Sequence, residues 1–288
     1  MGINLKSRYA IITPVKNEVV HIRATIQSVI AQTILPVEWL ILNDGSTDGT
    51  EGIVQEYVIQ YSWIRSININ DVFIDEMGAR IAHLLMYGVT NLIQDYDYIL
   101  KLDADVSFDP QFCEQILNEF NRNDKLGIAS GHLVYKGIIE NIKFSDHTRG
   151  ATKFFKKECW NDIGGVYYTT GWDTICDISA RTKGWNTQTL DYYFSHHKEE
   201  GIKKGTVKRH YWNGIYCGRV PYQPIYFIFR LISHIFDRPL ILSTFAEIWG
   251  YLKSRFILKD KPFPLEVTRY YRNLQLKRLK QRLTGRTE

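Results

Sequence analysis

The sequence predicts an α/β protein: a mostly parallel, Rossmann-like sheet with helices on both faces, followed by a helical C-terminal segment. Three observations carry this. Over roughly the first third of the chain, short and uniformly apolar runs alternate with stretches of helical period, as buried parallel strands and their crossover helices require. Each apolar run ends in a polar, turn-rich cluster. The charge also breaks sharply, with 18 Lys+Arg against 26 Asp+Glu up to Gly201, and 18 against 5 from Ile202 onward, which together give the net +5.

The elements follow in order. Tyr9–Val15 is a first buried strand, and Asn17 is placed to cap a helix marked by Ile22, Ile26, Val29, Ile30 and Thr33. Trp39–Leu42 is a second strand, closed by the turn-rich Asn43–Gly49. A helix through Ile53, Tyr57 and Tyr61, a strand near Ser66–Ile69, a helix over Gly78–Leu92 and a fourth strand at Tyr98–Leu102 complete the first half. Beyond it the pattern predicts helices at Gln111–Asn121, Thr152–Asp162 and Thr174–Lys183. Strands are expected near Ile128–Tyr135, Glu140–Phe144 and Gln188–Tyr192. From Gly205 the chain reads as mostly helical and rich in aromatics. The expected organisation is an α/β domain over residues 1–204, with halves meeting near residue 105, and a basic, aromatic helical segment over 205–288.

Composition narrows the function classes. With 44% hydrophobic and 14% aromatic residues the chain can fill a core, which excludes disordered, collagenous and coiled-coil classes. Four scattered cysteines without C-x-x-C spacing fit neither a disulfide scaffold nor a zinc module, and point to a reducing compartment. Residues 1–8 do not read as a secretory signal. The longest near-apolar stretch, Val220–Leu252, is interrupted by Arg230, Asp237, Arg238 and Glu247, so no membrane span is expected.

Three clusters fall where parallel strands end: Thr13–Glu18, Asn43-Asp44-Gly45 and Asp103-Ala104-Asp105. In an open α/β sheet those carboxyl ends converge on one crevice. Carboxylates gathered there repel one another unless a cation lies between them, and hard oxygens suit Mg²⁺ or Mn²⁺ carrying a phosphorylated ligand. Asp-x-Asp alone is a weak signal, since about one is expected by chance in a chain this long. A second copy, Asp95-Tyr-Asp97, precedes its strand and belongs to the opposite sheet edge.

Taken together, Thr13–Glu18, Asn43–Thr50, Leu102–Asp105, Gly164-Gly165, Gly171-Trp-Asp173 through Arg181 and Gly184, and His196-His197-Lys198 resemble the family 2 glycosyltransferases, which have the GT-A fold. The resemblance covers roughly residues 8–200. It implies that Thr13, Pro14, Asn17 and Glu18 line the nucleotide pocket, that Asp44 accepts a hydrogen bond from the base, and that Gly78 and Arg80 begin a segment flanking the sugar nucleotide. It further implies that Asp103 contacts the ribose and metal-bound water and that Asp105 binds the metal. His196 or His197 adds a metal-side histidine, and the sequence does not choose between them. The cofactor implied is a divalent metal, with a nucleotide diphosphate sugar as donor.

Attack of an acceptor hydroxyl on C1 of the sugar calls for a carboxylate base, and direct displacement inverts the anomeric centre. Asp173 is the first candidate and Asp177, one helical turn on, the second, because the family's usual acidic pair is replaced here by Asp-Thr-Ile-Cys-Asp. An alternative role for Asp173 is to cap the following helix. The C-terminal segment loosely resembles the tails of membrane-associated enzymes of surface polysaccharide biosynthesis. Its apolar stretches bordered by cations fit either an anionic membrane interface on the cytoplasmic side or packing within the protein. The reading is an inverting hexosyl transferase acting on a glycan acceptor, a lipid-linked one included. Transfer to a polyprenyl phosphate and an inactive glycan- or lipid-binding scaffold are the alternatives. No nucleic-acid recognition motif is present.

Overall fold

A computed structural model describes residues 7–69, 74, 77–142, 144–198, 207–234, 242–257 and 263–284. The chain divides into two compact units, residues 1–168 with 172–199, and residues 169–171 with 200–288.

The first unit is built on a nine-stranded sheet in the order β3-β2-β1-β4-β8-β6-β9-β5, with β7 paired to β6. The strands are β1 (Tyr9–Val15), β2 (Glu38–Asn43), β3 (Ile64–Asn68), β4 (Tyr98–Leu102), β5 (Val106–Phe108), β6 (Leu126–Tyr135), β7 (Ile138–Ile139), β8 (Thr152–Lys156) and β9 (Asn186–His196). Its helices are α1 (Ile22–Ile30), α2 (Thr50–Gln60), α3 (Met77–Thr90), α4 (Phe112–Arg122), α5 (Lys157–Ile163) and α6 (Trp172–Thr182). β3, β2, β1 and β4 pair in parallel, and β6 and β9 run in the same direction. On the main path β8 and β5 run against them.

The two-residue period of each buried strand divides the core into layers. Tyr9 and Ile11 of β1, Trp39 and Ile41 of β2, and Leu100 of β4 pack with Ile22, Ile26 and Val29 of α1 and Phe112, Ile116 and Phe120 of α4. Ile12, Leu40, Leu42 and Ile99 point the other way, to Ala82, Leu84 and Leu85 of α3 and to Trp172, Cys176 and Ala180 of α6. All four cysteines are buried and free.

The structure corrects several sequence expectations. Asn17 does not cap α1: it adopts a left-handed φ of 55°, and its Oδ1 accepts a hydrogen bond from Thr47 N at 2.8 Å across the neighbouring loop. The helix expected over Thr152–Asp162 is strand β8 followed by α5, because Thr-Lys-Phe-Phe-Lys fills the gap between β4 and β6. The strand expected over Glu140–Phe144 is instead the two-residue β7 just before it; Glu140 still donates its N–H to the Leu133 carbonyl at 2.9 Å, and Lys143 lies outside the described residues. Three-residue β5 exists only through its pairing with β9.

The second unit is helical: α7 (Val207–Arg219), α8 (Pro224–His234), α9 (Leu242–Leu252), a π-helical turn (Lys253–Ile257) and α10 (Leu265–Thr284). α7 and α9 approach closely at glycines, since a Cβ on Gly214 would collide with the Glu247 carbonyl and one on Gly250 with that of Tyr211. Beside this contact Glu247 is fully buried, bonded to Arg230 Nε at 2.7 Å and His210 Nδ1 at 3.2 Å. Among the described residues no helix is long and apolar enough to cross a membrane.

Candidate active site

The carboxyl ends of β1, β2 and β4 deliver the polar clusters to one edge of the sheet. Asp103 follows β4 directly. Its backbone N–H donates to the Ala151 carbonyl at 2.9 Å, and its carboxylate accepts from the buried Lys101 ammonium. Two residues on, Asp105 lies where β5 begins, facing the end of β9 through the Val106–His196 pairing. One ligand atom from each of Asp103, Asp105 and His196 lies within 4.8 Å of the others.

The alternation of β9 selects His196. Phe194 and His196 point inward and Ser195 outward, so the strand ends with its last imidazole at the crevice. His196 Nδ1 bonds the Lys198 carbonyl, which can only accept, so Nδ1 carries a proton, and Nε2 stands 3.6 Å from Asp105 Oδ1. His197 lies beyond the strand, bonded through Nε2 to Ser107 Oγ at 2.9 Å and stacked on His21. Irregular register between β6 and β9 hides this parity from the sequence.

Burial pushes the Asp105 carboxyl above its ordinary range, and the neighbouring Asp103 and Glu18 push it further, against the pull of His196 and Lys198. Two carboxylates and one imidazole around a partly desolvated point form a donor set that fits Mg²⁺ or Mn²⁺. Glu18 closes one side, its Oε1 paired with Lys198 Nζ at 2.7 Å.

Other residues predicted for the nucleotide side have distinct placements. Asp44, almost fully buried, receives the Arg80 guanidinium on both carboxylate oxygens. Arg80 and Gly78 sit in the first turn of α3. The Thr13 hydroxyl is fully buried and accepts from Trp39 Nε1 at 2.9 Å, bracing β1 against β2. Pro14 is half-buried, and Asn17 is exposed beside Ser46 and Thr47.

The two candidate bases differ sharply. Asp173 is partly exposed in the first turn of α6, with Oδ1 accepting from Thr174 N at 2.8 Å; it lies inside the helix and not at the cap position. Asp177 is fully buried. It accepts from Thr148 N at 2.9 Å, Thr148 Oγ1 at 2.7 Å and Lys153 Nζ at 2.7 Å, with His147 Nδ1 at 3.3 Å. Burial alone would raise its pKa, but the Lys153 charge and the His147 hydrogen bond outweigh it and hold the carboxyl far below the usual range. A carboxylate so enclosed has no face left for an acceptor.

Sequence reasoning missed Lys101, Lys153, Thr148 and His147. The two lysines stand directly opposite each other on β4 and β8, and both are buried on the α3/α6 side of the sheet. Opposed like charges are unfavourable, and here each is neutralised by its own carboxylate, Asp103 and Asp177. The only sequence signal was a lysine at an apolar phase of each strand.

Over 199 residues the chain is 27% identical to a poly-beta-1,6-N-acetyl-D-glucosamine synthase of Staphylococcus epidermidis and 28% identical to that of Staphylococcus aureus. These alignments cover 61% of this chain and 44% of the relatives, so the match spans less than half their length. Among solved structures, the mannosyltransferase PcManGT of Pyrobaculum calidifontis, in complex with GDP-Man and Mn²⁺, aligns with a TM-score of 0.58 at 14% identity. That alignment covers 95% of this chain and 80% of the other. S. aureus TarS 1-349, in complex with UDP-GlcNAc, aligns with a TM-score of 0.54 at 14% identity, over 95% and 81%. At such identities the structures establish a shared fold, that of GT-A glycosyltransferases. The glycosyl transferase family 2 domain matches residues 10–172, more than half of the chain, and the protein therefore belongs to that family.

Proposed function

We propose that the protein is an inverting, metal-dependent glycosyltransferase that moves a sugar from a nucleoside diphosphate to a hydroxyl of a glycan acceptor. The observation that carries this reading is the convergence of Asp103, Asp105 and His196 at the end of β4, with a partly exposed carboxylate, Asp173, on the neighbouring helix. Asp103, Asp105 and His196 would hold the cation. When bound, a divalent cation supplies Lewis-acid neutralisation of the charge that grows on the departing diphosphate. Asp44, fixed by Arg80, and the Pro14–Glu18 loop form the nucleotide side.

Asp173 takes the proton of the acceptor hydroxyl as the oxygen bonds to C1 of the sugar. The C1–O bond to the diphosphate breaks with its electron pair, and the configuration at C1 inverts. Asp177, enclosed by Lys153 and Thr148, is not the base. Transfer to a polyprenyl phosphate, whose oxygen is already anionic, needs no base, so Asp173→Asn separates the two acceptor classes.

The test is thermal stability against UDP, GDP, dTDP and CMP, each with and without Mn²⁺. A nucleotide at about 100 times its Kd adds roughly 2.7 kcal/mol to the native state. A rise with one nucleotide that requires metal and is lost in Asp105→Ala is the expected result. No rise with any of them, from folded protein, sinks the assignment and leaves the scaffold reading.

The partner surface proposed for the second unit is an anionic membrane. Ile225, Ile228, Phe229 and Ile232 on α8, and Leu242, Phe245 and Trp249 on α9, recur at helical spacing, and all are between 38% and 66% exposed. The basic chain from Ile202 adds the attraction, at roughly 1 kcal/mol per cation near an anionic surface. Co-sedimentation with phosphatidylglycerol vesicles is expected. Phe245→Ser/Trp249→Ser should weaken it, and equal recovery with and without vesicles excludes the surface.

A further inference from the structure

We propose that Lys153 is a positioning residue for the transfer: from the buried side of β8 it sets the start of α6, and with it the Asp173 carboxylate, relative to Asp103. The inference rests on the reading of Asp173 as the base.

Lys153 is fully buried, and its ammonium has three partners: the Asp173 backbone carbonyl at 2.9 Å, Asp177 Oδ1 at 2.7 Å and Thr148 Oγ1. An ammonium offers three protons, so its donor capacity is used up. An apolar side chain could fill that space without the penalty of burying a charge pair, so stability alone does not account for a lysine there. What it does achieve is a junction. The segment before β8, the first turn of α6 and the next turn of α6 at Asp177 all meet on one nitrogen.

That junction continues to the metal side. Ala151, two residues before Lys153, accepts the backbone N–H of Asp103 at 2.9 Å. Gly150, adjacent to it, lies against the base, since a Cβ there would stand 3.7 Å from Asp173 Oδ2. Thr148–Lys153 therefore touches Asp103 through its backbone and Asp173 through Gly150 and the lysine. The base and the metal-side carboxylates must act on the same C1, and misplacement by about 1 Å costs on the order of 100-fold in rate. One segment referencing both groups is the arrangement such a tolerance demands.

The variant that tests this is Lys153→Met/Asp177→Asn in the full chain, which removes both charges together and leaves neither buried alone. The assay is release of nucleoside diphosphate from the sugar nucleotide selected by the nucleotide panel, with water as acceptor, so that no glycan is needed. We expect kcat to fall about 10- to 100-fold, while KM for the donor and the Mn²⁺-dependent thermal shift stay at wild-type values. A purely structural role would move binding and turnover together, and that result overturns the proposal, as does a folded variant with unchanged kcat. If the double variant does not fold, Thr148→Val removes a single hydroxyl from the same junction. A several-fold loss of kcat at constant KM supports the proposal, and unchanged kcat overturns it. Asp173→Asn, measured in parallel, separates the two levels. If it turns over at the wild-type rate the base reading itself fails; if it is slow while the Lys153 variants are normal, only the positioning role fails.

Discussion

Two buried carboxylates in the sheet unit stand in opposite electrostatic states. Around Asp177 the fold provides a complete set of partners, a lysine, a threonine and a histidine, and the carboxyl is held far below its usual range. Around Asp105 burial acts first, and Asp103 and Glu18 add to it against His196 and Lys198, so the carboxyl is held above its usual range. Glu247 of the helical unit sits with Asp177 on the satisfied side, bonded to Arg230 and His210. Around Asp177 the chain's own cation outweighs burial and the charge is architectural; around Asp105 burial and the neighbouring carboxylates outweigh His196 and Lys198, and a cation from outside would relieve the imbalance. The contrast teaches that burial of an acidic residue does not by itself mark a functional site, and that the sign of the local imbalance does.

The comparison is broken most severely at the reacting groups. Asp173→Asn, which keeps shape and removes basicity, is expected to lower turnover by about 10²–10⁴-fold with the metal-dependent nucleotide shift intact. Turnover at the wild-type rate would instead favour an anionic phosphate acceptor. Next comes the satisfied side. Glu247→Ala removes a fully buried carboxylate from the partly buried Arg230 and the buried His210, and a loss of roughly 3–5 kcal/mol is expected in denaturant unfolding monitored on the second unit. A loss below about 1 kcal/mol would show that the network behaves as a solvated surface pair and not as a buried one.

The smallest effect is in pH. Asp177 titrates lower in the folded chain than in the unfolded one, so its contribution is fully present above about pH 4 and is lost as pH falls below that. For His147, burial lowers the pKa, but the Asp177 hydrogen bond and charge, with Asp173, outweigh burial and the repulsion from Lys153, giving a net rise. Its contribution is therefore present below about pH 6.5 and is lost as pH rises through the raised folded value. Unfolding free energies of wild type and His147→Gln, measured between about pH 5 and 8, should converge at the alkaline end. Parallel curves would remove His147 from the network.

Much of the first half was legible because its signals are local. β1 and β4 are mostly apolar between polar ends, and they form over the residues their patterns predict. The acidic clusters at Asp44, Asp103 and Asp105 follow strand ends, so placing the strands placed the carboxylates. β8 was misread because Thr152–Lys156 runs without a turn signal into α5, and only an open slot between β4 and β6 makes it a strand. β5 is too short to carry a pattern, and Asn17 looked like a cap until its left-handed backbone turned it to Thr47.

The sequence alone therefore determined the fold class, the crevice at the parallel strand ends and the acidic residues that line it, since each depends on periodicity and spacing over a few residues. The tertiary structure decided that His196 and not His197 faces Asp105, that Asp177 is enclosed while Asp173 is reachable, and that Lys153 joins them. Those outcomes depend on strand register and on contacts between residues far apart in sequence, and no local pattern encodes them.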